Sequence, residues 1–256
     1  MKTLKKDLLT VKIYETRKEM GCAAAAEIKE RILALLETKE SINMIFAAAP
    51  SQNEVLAALA NDREIPWSRV NAFHMDEYVG LSPDAPQGFG NFLKERLFGL
   101  ADFRSVHYID IAAPDPEREC DRYAALLKEY PTDIVVMGIG ENGHIAFNDP
   151  PVADFDDLKA VKTVRLDEIC RKQQVHDGCF RTLDEVPEMA VTLTVPTLFA
   201  GDWLFCIVPA KTKAEAVAAT LQGEIGTHCP ATVLRRHERA VLYLDGDSAA
   251  LLEEER

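Results

Sequence analysis

The chain has 256 residues, 47% of them apolar, with 29 basic against 42 acidic side chains and a formal net charge of −13. That length suits one large α/β domain or two small ones, and the apolar share suffices for a buried core. The acidity argues against nucleic acid or an anionic membrane as partner, no apolar run approaches the ~20 residues that span a bilayer, and 13 Gly and 13 Pro exclude a collagen-like or low-complexity chain.

Along the chain, Met1 to Asp7 is basic but lacks the apolar stretch of a secretory signal. Thr16 to Glu37 reads as a helix with Met20, Ala24, Ile28, Ile32 and Leu35 on one stripe, and Ile42 to Ala48 as a buried strand. Ser51 and Glu54 form an S-x-x-E capping box that opens a helix carrying Val55, Leu56 and Leu59. Strand Val70 to Met75, helix Gly88 to Phe98, short strand Val106 to Ile109, helix Pro116 to Tyr130 and strand Ile134 to Met137 follow. Further strands are expected at Val161 to Leu166, Val191 to Val195, Trp203 to Val208 and Val241 to Leu244. Thr212 and Glu215 read as a second capping box, for a helix to Leu221.

Strands alternating with helices predict an α/β fold, a mostly parallel Rossmann-like sheet with helices on both faces. With no repeat or Gly/Ser linker, residues 1–256 read as one domain. The irregular segment from Pro150 to Pro187 is a candidate lid. In such folds ligands lie beyond the carboxyl ends of the strands. Six scattered cysteines without a CxxC pair favour reduced thiols in a cytoplasmic protein.

Three clusters fall at strand ends. Gly138-Ile-Gly140-Glu-Asn142-Gly143 matches G-x-G-x-x-G, but Pro150-Pro151 follows too closely for the helix of a dinucleotide site, so the motif reads as a turn allowing close backbone approach. His144 and Asp149, with Asn142 beside them, can form an imidazole–carboxylate pair. His74, Asp76 and Glu77 end a strand, where a carboxylate can act as a general base or cap a loop. Lys211 and Lys213 stand at a helix start, where cations are unfavourable unless an anion binds there; the helix start after Ala49-Pro50-Ser51-Gln52 could face an anion too. His74, Asp76, His144 and Asp149 could in principle gather a metal, but no H-x-H or HExxH spacing supports one, so no metal and no cofactor is expected.

Phe73-His-Met-Asp-Glu-Tyr-Val-Gly-Leu81 and Gly138-Ile-Gly-Glu-Asn-Gly-His-Ile-Ala-Phe-Asn-Asp-Pro150 resemble the glucosamine-6-phosphate deaminase family, which shares its fold with 6-phosphogluconolactonases. Ala190-Val-Thr-Leu-Thr-Val and Ile207-Val-Pro-Ala-Lys-Thr-Lys-Ala214 extend the likeness, and the residues after His144 fit the deaminase branch better than the lactonase one.

The resemblance implies a metal-free aldose–ketose isomerisation that releases ammonia from a hexosamine phosphate. Asp76 would be the C2 base, and His144 would move protons in ring opening, supported by Asp149 and Asn142. Lys213 and Arg171 would hold the phosphate, with Ser51, Gln52, Glu77, Tyr78 and Gly143 beside the substrate. Asn142 stands where many members carry Asp, and Asp149 where many carry Glu. The phosphate loop is Ala47-Ala48-Ala49, leaving Ser51 and Gln52 as its side-chain donors. A related hexosamine phosphate, a phosphosugar lactonase and a non-catalytic sugar-phosphate sensor remain alternatives. A homo-oligomer is possible.

Overall fold

The computed structural model describes residues 1–252. A hairpin not foreseen from the sequence opens the chain, β1 (Lys2–Lys6) and β2 (Leu9–Ile13), turning at Asp7 with φ +51°. The lysines of β1 mark it as a sheet edge, where charge discourages further pairing.

Helix α1 (Arg17–Leu36) starts where expected, with the Thr16 hydroxyl accepting from the Glu19 N–H at 3.2 Å. Its buried stripe ends on Leu36 rather than Leu35, the residue a full helical repeat after Ile32. Strand β3 (Ile42–Phe46) leads through a 3₁₀ turn, Pro50–Gln52, into α2 (Asn53–Asn61). The expected Ser51/Glu54 capping box is absent. Ser51 lies inside the turn, Gln52 precedes the helix without a side-chain cap, and Glu54 pairs with Arg17 at 2.7 Å.

Next come β4 (Val70–His74), β5 (Asp76–Tyr78) and α3 (Phe89–Leu93), which runs on as a π turn, Lys94–Phe98. Strand β6 (Ser105–His107), α4 (Pro116–Glu129) capped by Asp115, and β7 (Ile134–Met137) follow. The irregular segment holds β8 (Val161–Arg165) and α5 (Glu168–His176). The chain continues through β9 (Met189–Leu193), α6 (Val195–Phe199) and β10 (Trp203–Val208). It ends in α7 (Ala214–Gln222) and β11 (Ala240–Leu244). Thr212 is not a cap: Lys211–Lys213 form a 3₁₀ turn, and Lys213 itself precedes α7 with no side-chain cap bond.

The main sheet has eight strands in the order β1-β2-β11-β10-β7-β3-β4-β6, parallel throughout except for the β1–β2 hairpin. Buried side chains of α1, α2 and α3 join one core cluster, and those of α4, α6 and α7 join the other, so helices cover both faces. From β3 the chain first winds outward through β4 to β6, then returns to β7 on the other side of β3 and winds the opposite way. The crevice between the ends of β3 and β7 is therefore the topological switch point, where ligands bind in open α/β sheets.

Strands β8 and β9, read from the sequence as part of the same alternation, instead form a separate antiparallel sheet with β5, in the order β5-β9-β8. Among the described residues no helix is long and apolar enough to cross a membrane.

Candidate active site

A solvent-open cleft of about 520 Å³ lies at the switch point. Its floor comes from the main sheet: Ala47, Ala48, Ala49, Ser51 and Gln52 after β3, and Gly138, Ile139 and Gly140 after β7. Met75 and Asp76 enter from the β4–β5 junction, Lys213 from the turn after β10, and Gln173 and Gln174 from α5. His144, Phe89, Ala146 and Phe147 complete the wall. Asp76, His144 and Lys213, far apart in sequence, thus share one cavity, as do the predicted donors Ser51 and Gln52.

Asp76 is 6% exposed, and no hydrogen bond reaches its carboxylate from any described residue. Burial, and then the neighbouring Glu77, push its pKa well above the ordinary carboxylate value. Its neighbours are directed elsewhere. The His74 ring lies with Nδ1 2.9 Å from the Asp76 carbonyl oxygen, and its Nε2 accepts from the Ile109 N–H at 2.8 Å. Both nitrogens are used inside the protein, which removes His74 from any metal set. Burial draws its pKa down to about 4.

Glu77 points to the opposite side of β5 and lies outside the cleft, contrary to the expectation that it neighbours substrate. Its carboxylate accepts the backbone N–H groups of Tyr78, Phe89 and Gly90 at 2.9–3.0 Å, closing the start of α3. Burial nevertheless raises its pKa to about 7. Tyr78 is packed against Phe89, Phe147 and Phe180 behind the cleft.

The His144 turn is a closed network. His144 Nδ1 stands 2.7 Å from Asn142 Oδ1 and 2.9 Å from Asp149 Oδ1, Asn142 Nδ2 donates to the same Asp149 oxygen at 2.9 Å, and the His144 N–H donates to Asn142 Oδ1 at 3.1 Å. With oxygens on that side, Nδ1 carries the proton, and Nε2 keeps its lone pair with no partner among the described residues. Asn142 and Asp149 support the ring from behind and do not line the cleft. Burial works to raise the Asp149 pKa, but His144 and Asn142 outweigh it and the net direction is down.

Two glycines make this turn possible. A Cβ on Gly140 would meet the imidazole at 2.1–2.4 Å. Gly143 has φ +83°, and a Cβ there would lie 2.5 Å from Cys229 Sγ. Gly143 therefore shapes the loop and is not itself a wall of the cleft.

Lys213 is 5% exposed, and among the described residues no carboxylate is in ion-pair contact with it. Burial lowers its pKa, while Asp177 and Glu141 at longer range oppose the shift. Its turn is held by a feature not legible in the sequence. Ala210 adopts φ +82°, and its N–H donates to the buried Asp245 carboxylate at 3.1–3.2 Å. Ser51 and Gln52 are linked at 3.1 Å, and Gln52 Nε2 also donates to the Ile207 carbonyl, joining the β3 loop to β10.

Arg171 does not reach this cleft. Its guanidinium donates to the carbonyls of Leu183 and Val186 at 2.8 Å, and the residue lines a separate cavity behind Asp149. It ties α5 to the segment that follows. The cleft residues of α5 are instead Gln173 and Gln174, which sequence reasoning missed because the helix is short and mostly polar. Its available signal was the Glu168–Lys172 pair at i,i+4, in contact at 2.6 Å. Gln173 Oε1 accepts the Glu141 N–H at 2.8 Å and so fastens α5 to the glycine loop.

His144, Asp149 and Cys170 bring one ligand atom each within 4.8 Å of one another, a set able in principle to hold a cation. Burial raises the Cys170 thiol well above its ordinary value, favouring S–H over thiolate.

Chemically, the cleft offers an unpartnered carboxylate of raised pKa, an imidazole with a free nitrogen, and a buried ammonium. Residues 15–243 match the family model for glucosamine-6-phosphate isomerases/6-phosphogluconolactonase. The chain is 34% identical over 243 residues to the glucosamine-6-phosphate deaminase of Exiguobacterium sibiricum, covering 95% of this chain and 93% of that protein. It is 32% identical to the deaminase of Listeria innocua, covering 94% and 99%. A solved monomeric glucosamine-6-phosphate deaminase superposes with a TM-score of 0.85 at 28% identity, covering 94% of this chain and 99% of that one. The 6-phosphogluconolactonase of Thermotoga maritima shares the fold at a TM-score of 0.75 and 22% identity, over 93% of this chain and 99% of that one.

Proposed function

The chain belongs to the glucosamine-6-phosphate isomerase/6-phosphogluconolactonase family, and on that premise we propose that it is an enzyme, a glucosamine-6-phosphate deaminase. The overall reaction is glucosamine 6-phosphate plus water to fructose 6-phosphate plus ammonia. The observation that carries this reading is the shared cleft of Asp76, His144 and Lys213.

The buried ammonium of Lys213 has no counter-ion in contact among the described residues, and a phosphoryl group supplies one, turning an electrostatic cost into binding. That anchor holds the other end of the sugar against Asp76 and His144. The C2 hydrogen becomes acidic only after the ring opens. His144 Nε2 takes the C1 hydroxyl proton and delivers it to the ring oxygen, leaving an open-chain aldehyde. The ring returns to its starting protonation state, which Asn142 and Asp149 stabilise through Nδ1. Asp76 then removes the C2 proton and returns it to C1, while the C1 oxygen takes up a proton and the C2 nitrogen gives one up, so that the aldehyde becomes a hydroxymethyl group and C2 carries an imine. Water adds to the imine, and ammonia leaves to give the ketose. A carboxylate of raised pKa is the stronger base once ionised, which suits Asp76 to the C2 step.

We read residues 1–256 as one domain with 150–187 as its lid, α5 roofing the cleft through Gln173 and Gln174. Six free cysteines and a phosphorylated metabolite as substrate suit a reducing cytoplasm.

The test is ammonia and ketose-phosphate release from glucosamine 6-phosphate, with galactosamine 6-phosphate and 6-phosphogluconolactone as alternatives. Turnover of the glucosamine ester is expected to exceed both. Lactone hydrolysis without ammonia from either amino sugar would overturn the reading.

A further inference from the structure

Three buried side chains meet behind the His144 ring. His144, Asp149 and Cys170, exposed by 7%, 1% and 0%, each bring one ligand atom within 4.8 Å of the others. His144 Nδ1 and Asp149 Oδ1 are 2.9 Å apart, so Nδ1 is the ring nitrogen on this side. Cys170 stands in the first turn of α5 and is not a wall of the substrate cleft. The Asp149 carboxylate has bonding capacity left. Oδ1 accepts from Asn142 and faces His144, while Oδ2 has only the Asp167 N–H at 3.5 Å, a long bond for a buried carboxylate oxygen.

One imidazole nitrogen, one carboxylate oxygen and one sulfur suit Zn²⁺, whereas Mg²⁺ and Ca²⁺ take oxygen ligands. Bonds of about 2.0–2.3 Å to a tetrahedral Zn²⁺ set the ligand atoms roughly 3.3–3.6 Å apart. The separations of 2.9 Å and up to 4.8 Å bracket that spacing, so shifts of about 1 Å close the site. Three protein ligands leave the fourth position to water. Asp149 also lines an open cavity of about 920 Å³, distinct from the substrate cleft, which gives an ion a way in. Asp167 and Glu168 on its rim offset Arg165 and Arg171, so charge does not bar a cation.

We propose that His144, Asp149 and Cys170 form an inhibitory Zn²⁺ site that switches the enzyme off from behind its catalytic imidazole. The free enzyme holds a proton on Nδ1 and a lone pair on Nε2. Zn²⁺ takes the Nδ1 lone pair, and the displaced proton goes to Nε2 through the solvent of the cleft. Cys170 gives its thiol proton to solvent, because a coordinating thiol is deprotonated outright. One proton is thus released per ion, and Asp149 and the thiolate neutralise the metal. Nε2, now an N–H, cannot accept the C1 hydroxyl proton, so ring opening stops while the substrate cleft stays open. The inhibition rests on the role given to His144 above; the ligand set does not.

The experiment uses the full chain, stripped of metal by a chelator, as wild type, Cys170→Ser and Cys170→Ala. Cys22→Ser and Cys179→Ser control for the more accessible thiols. Calorimetric titration with Zn²⁺ in buffers of different ionisation enthalpy counts protons released. Co²⁺ in place of Zn²⁺ reports sulfur ligation by its thiolate charge-transfer absorption. Ammonia release from glucosamine 6-phosphate is followed with and without Zn²⁺, each variant against its own metal-free rate. The wild type is expected to bind one Zn²⁺ with release of one proton and to show the cobalt band. At saturating Zn²⁺ its kcat should fall at least about tenfold with KM within about twofold, and chelator should restore it. Both Cys170 variants should lose the band and bind Zn²⁺ more than about a hundredfold more weakly, beyond the cost of losing an outer-shell partner. The two control variants should behave as wild type.

Absence of the cobalt band in the wild type overturns the assignment, as does wild-type Zn²⁺ affinity in both Cys170 variants. So does inhibition that disappears in Cys22→Ser or Cys179→Ser, or inhibition through KM alone, which would put the ion in the substrate cleft. A wild type that releases no ammonia sinks the proposed reaction, and the calorimetry and cobalt spectra then decide the metal site.

Discussion

At the junction where the chain leaves the eight-stranded sheet for the three-stranded one, three consecutive ionisable side chains meet three different fates. His74 closes β4 of the large sheet with both ring nitrogens bonded inside the protein. Asp76 and Glu77, on the small sheet, face opposite ways, the first into the cleft and the second onto three backbone N–H groups of α3. The large sheet contributes a floor made mostly of backbone and small residues, braced by Gln52, Asp245 and the His144 network. The small sheet contributes the unpartnered carboxylate and carries the helix that roofs it. A group kept free for chemistry and a group used for structure can thus sit side by side, separated only by the pleat of one short strand.

The widest expected gap lies between the two carboxylates. Asp76→Asn should cost kcat about 10³–10⁴-fold, the upper range for a positioned base, with substrate still bound; near-normal turnover would remove Asp76 from the C2 step. In the wild type, kcat/KM should fall as pH drops and Asp76 takes up its proton.

Glu77→Gln should leave most of the turnover but change the pH dependence of stability. The folded-state pKa of Glu77 is raised from 4.5 to about 7, so the native state holds a proton that the unfolded chain has lost. The stability from that proton is fully present below 4.5 and is lost as pH rises through 7. The wild type should therefore lose on the order of 3 kcal/mol relative to Glu77→Gln across that window, in denaturant titrations at several pH values. A constant difference would break the contrast. The same variant should move the acid limb of kcat/KM to lower pH, because Glu77 helps raise Asp76.

Glycines sharpen the contrast of floor and roof. Gly140→Ala forces a Cβ onto the His144 ring, and displacement of about 1 Å should lower kcat roughly 10²-fold. Gly178, just past α5, has φ +74° but open space around its Cβ position. Gly178→Ala should cost only about 1 kcal/mol of stability from the left-handed backbone, with little change in kcat. Equal kinetic effects from the two would mean the floor is no more exacting than the roof.

Much of the fold was legible because its signals are local. The helix from Thr16, the buried strands at 42, 70, 134 and 203, and the glycine turn at 138–143 follow from periodicity, capping and backbone freedom. The antiparallel sheet was not legible, since β8 and β9 read as strands in the same alternation as those of the main sheet and nothing local says which partner they take. Ser51 and Thr212 matched a capping pattern, but 3₁₀ turns moved each helix start past them. Arg171 had the right chemistry for a phosphate and sits on the right helix, yet it is rotated away to bind the carbonyls of Leu183 and Val186.

The amino-acid order by itself therefore determined most of the strands, the glycine turn and the chemical parts: an aspartate at a strand end, an imidazole after a glycine loop, a lysine at a helix start. Which parts face one another was decided only by tertiary structure. The winding of the sheet reverses between β3 and β7, β5 changes sheets, and α5 presents Gln174 rather than Arg171 to the cleft. These are pairings between segments distant in the chain, and they are set by burial of whole faces rather than by any residue's neighbours in sequence.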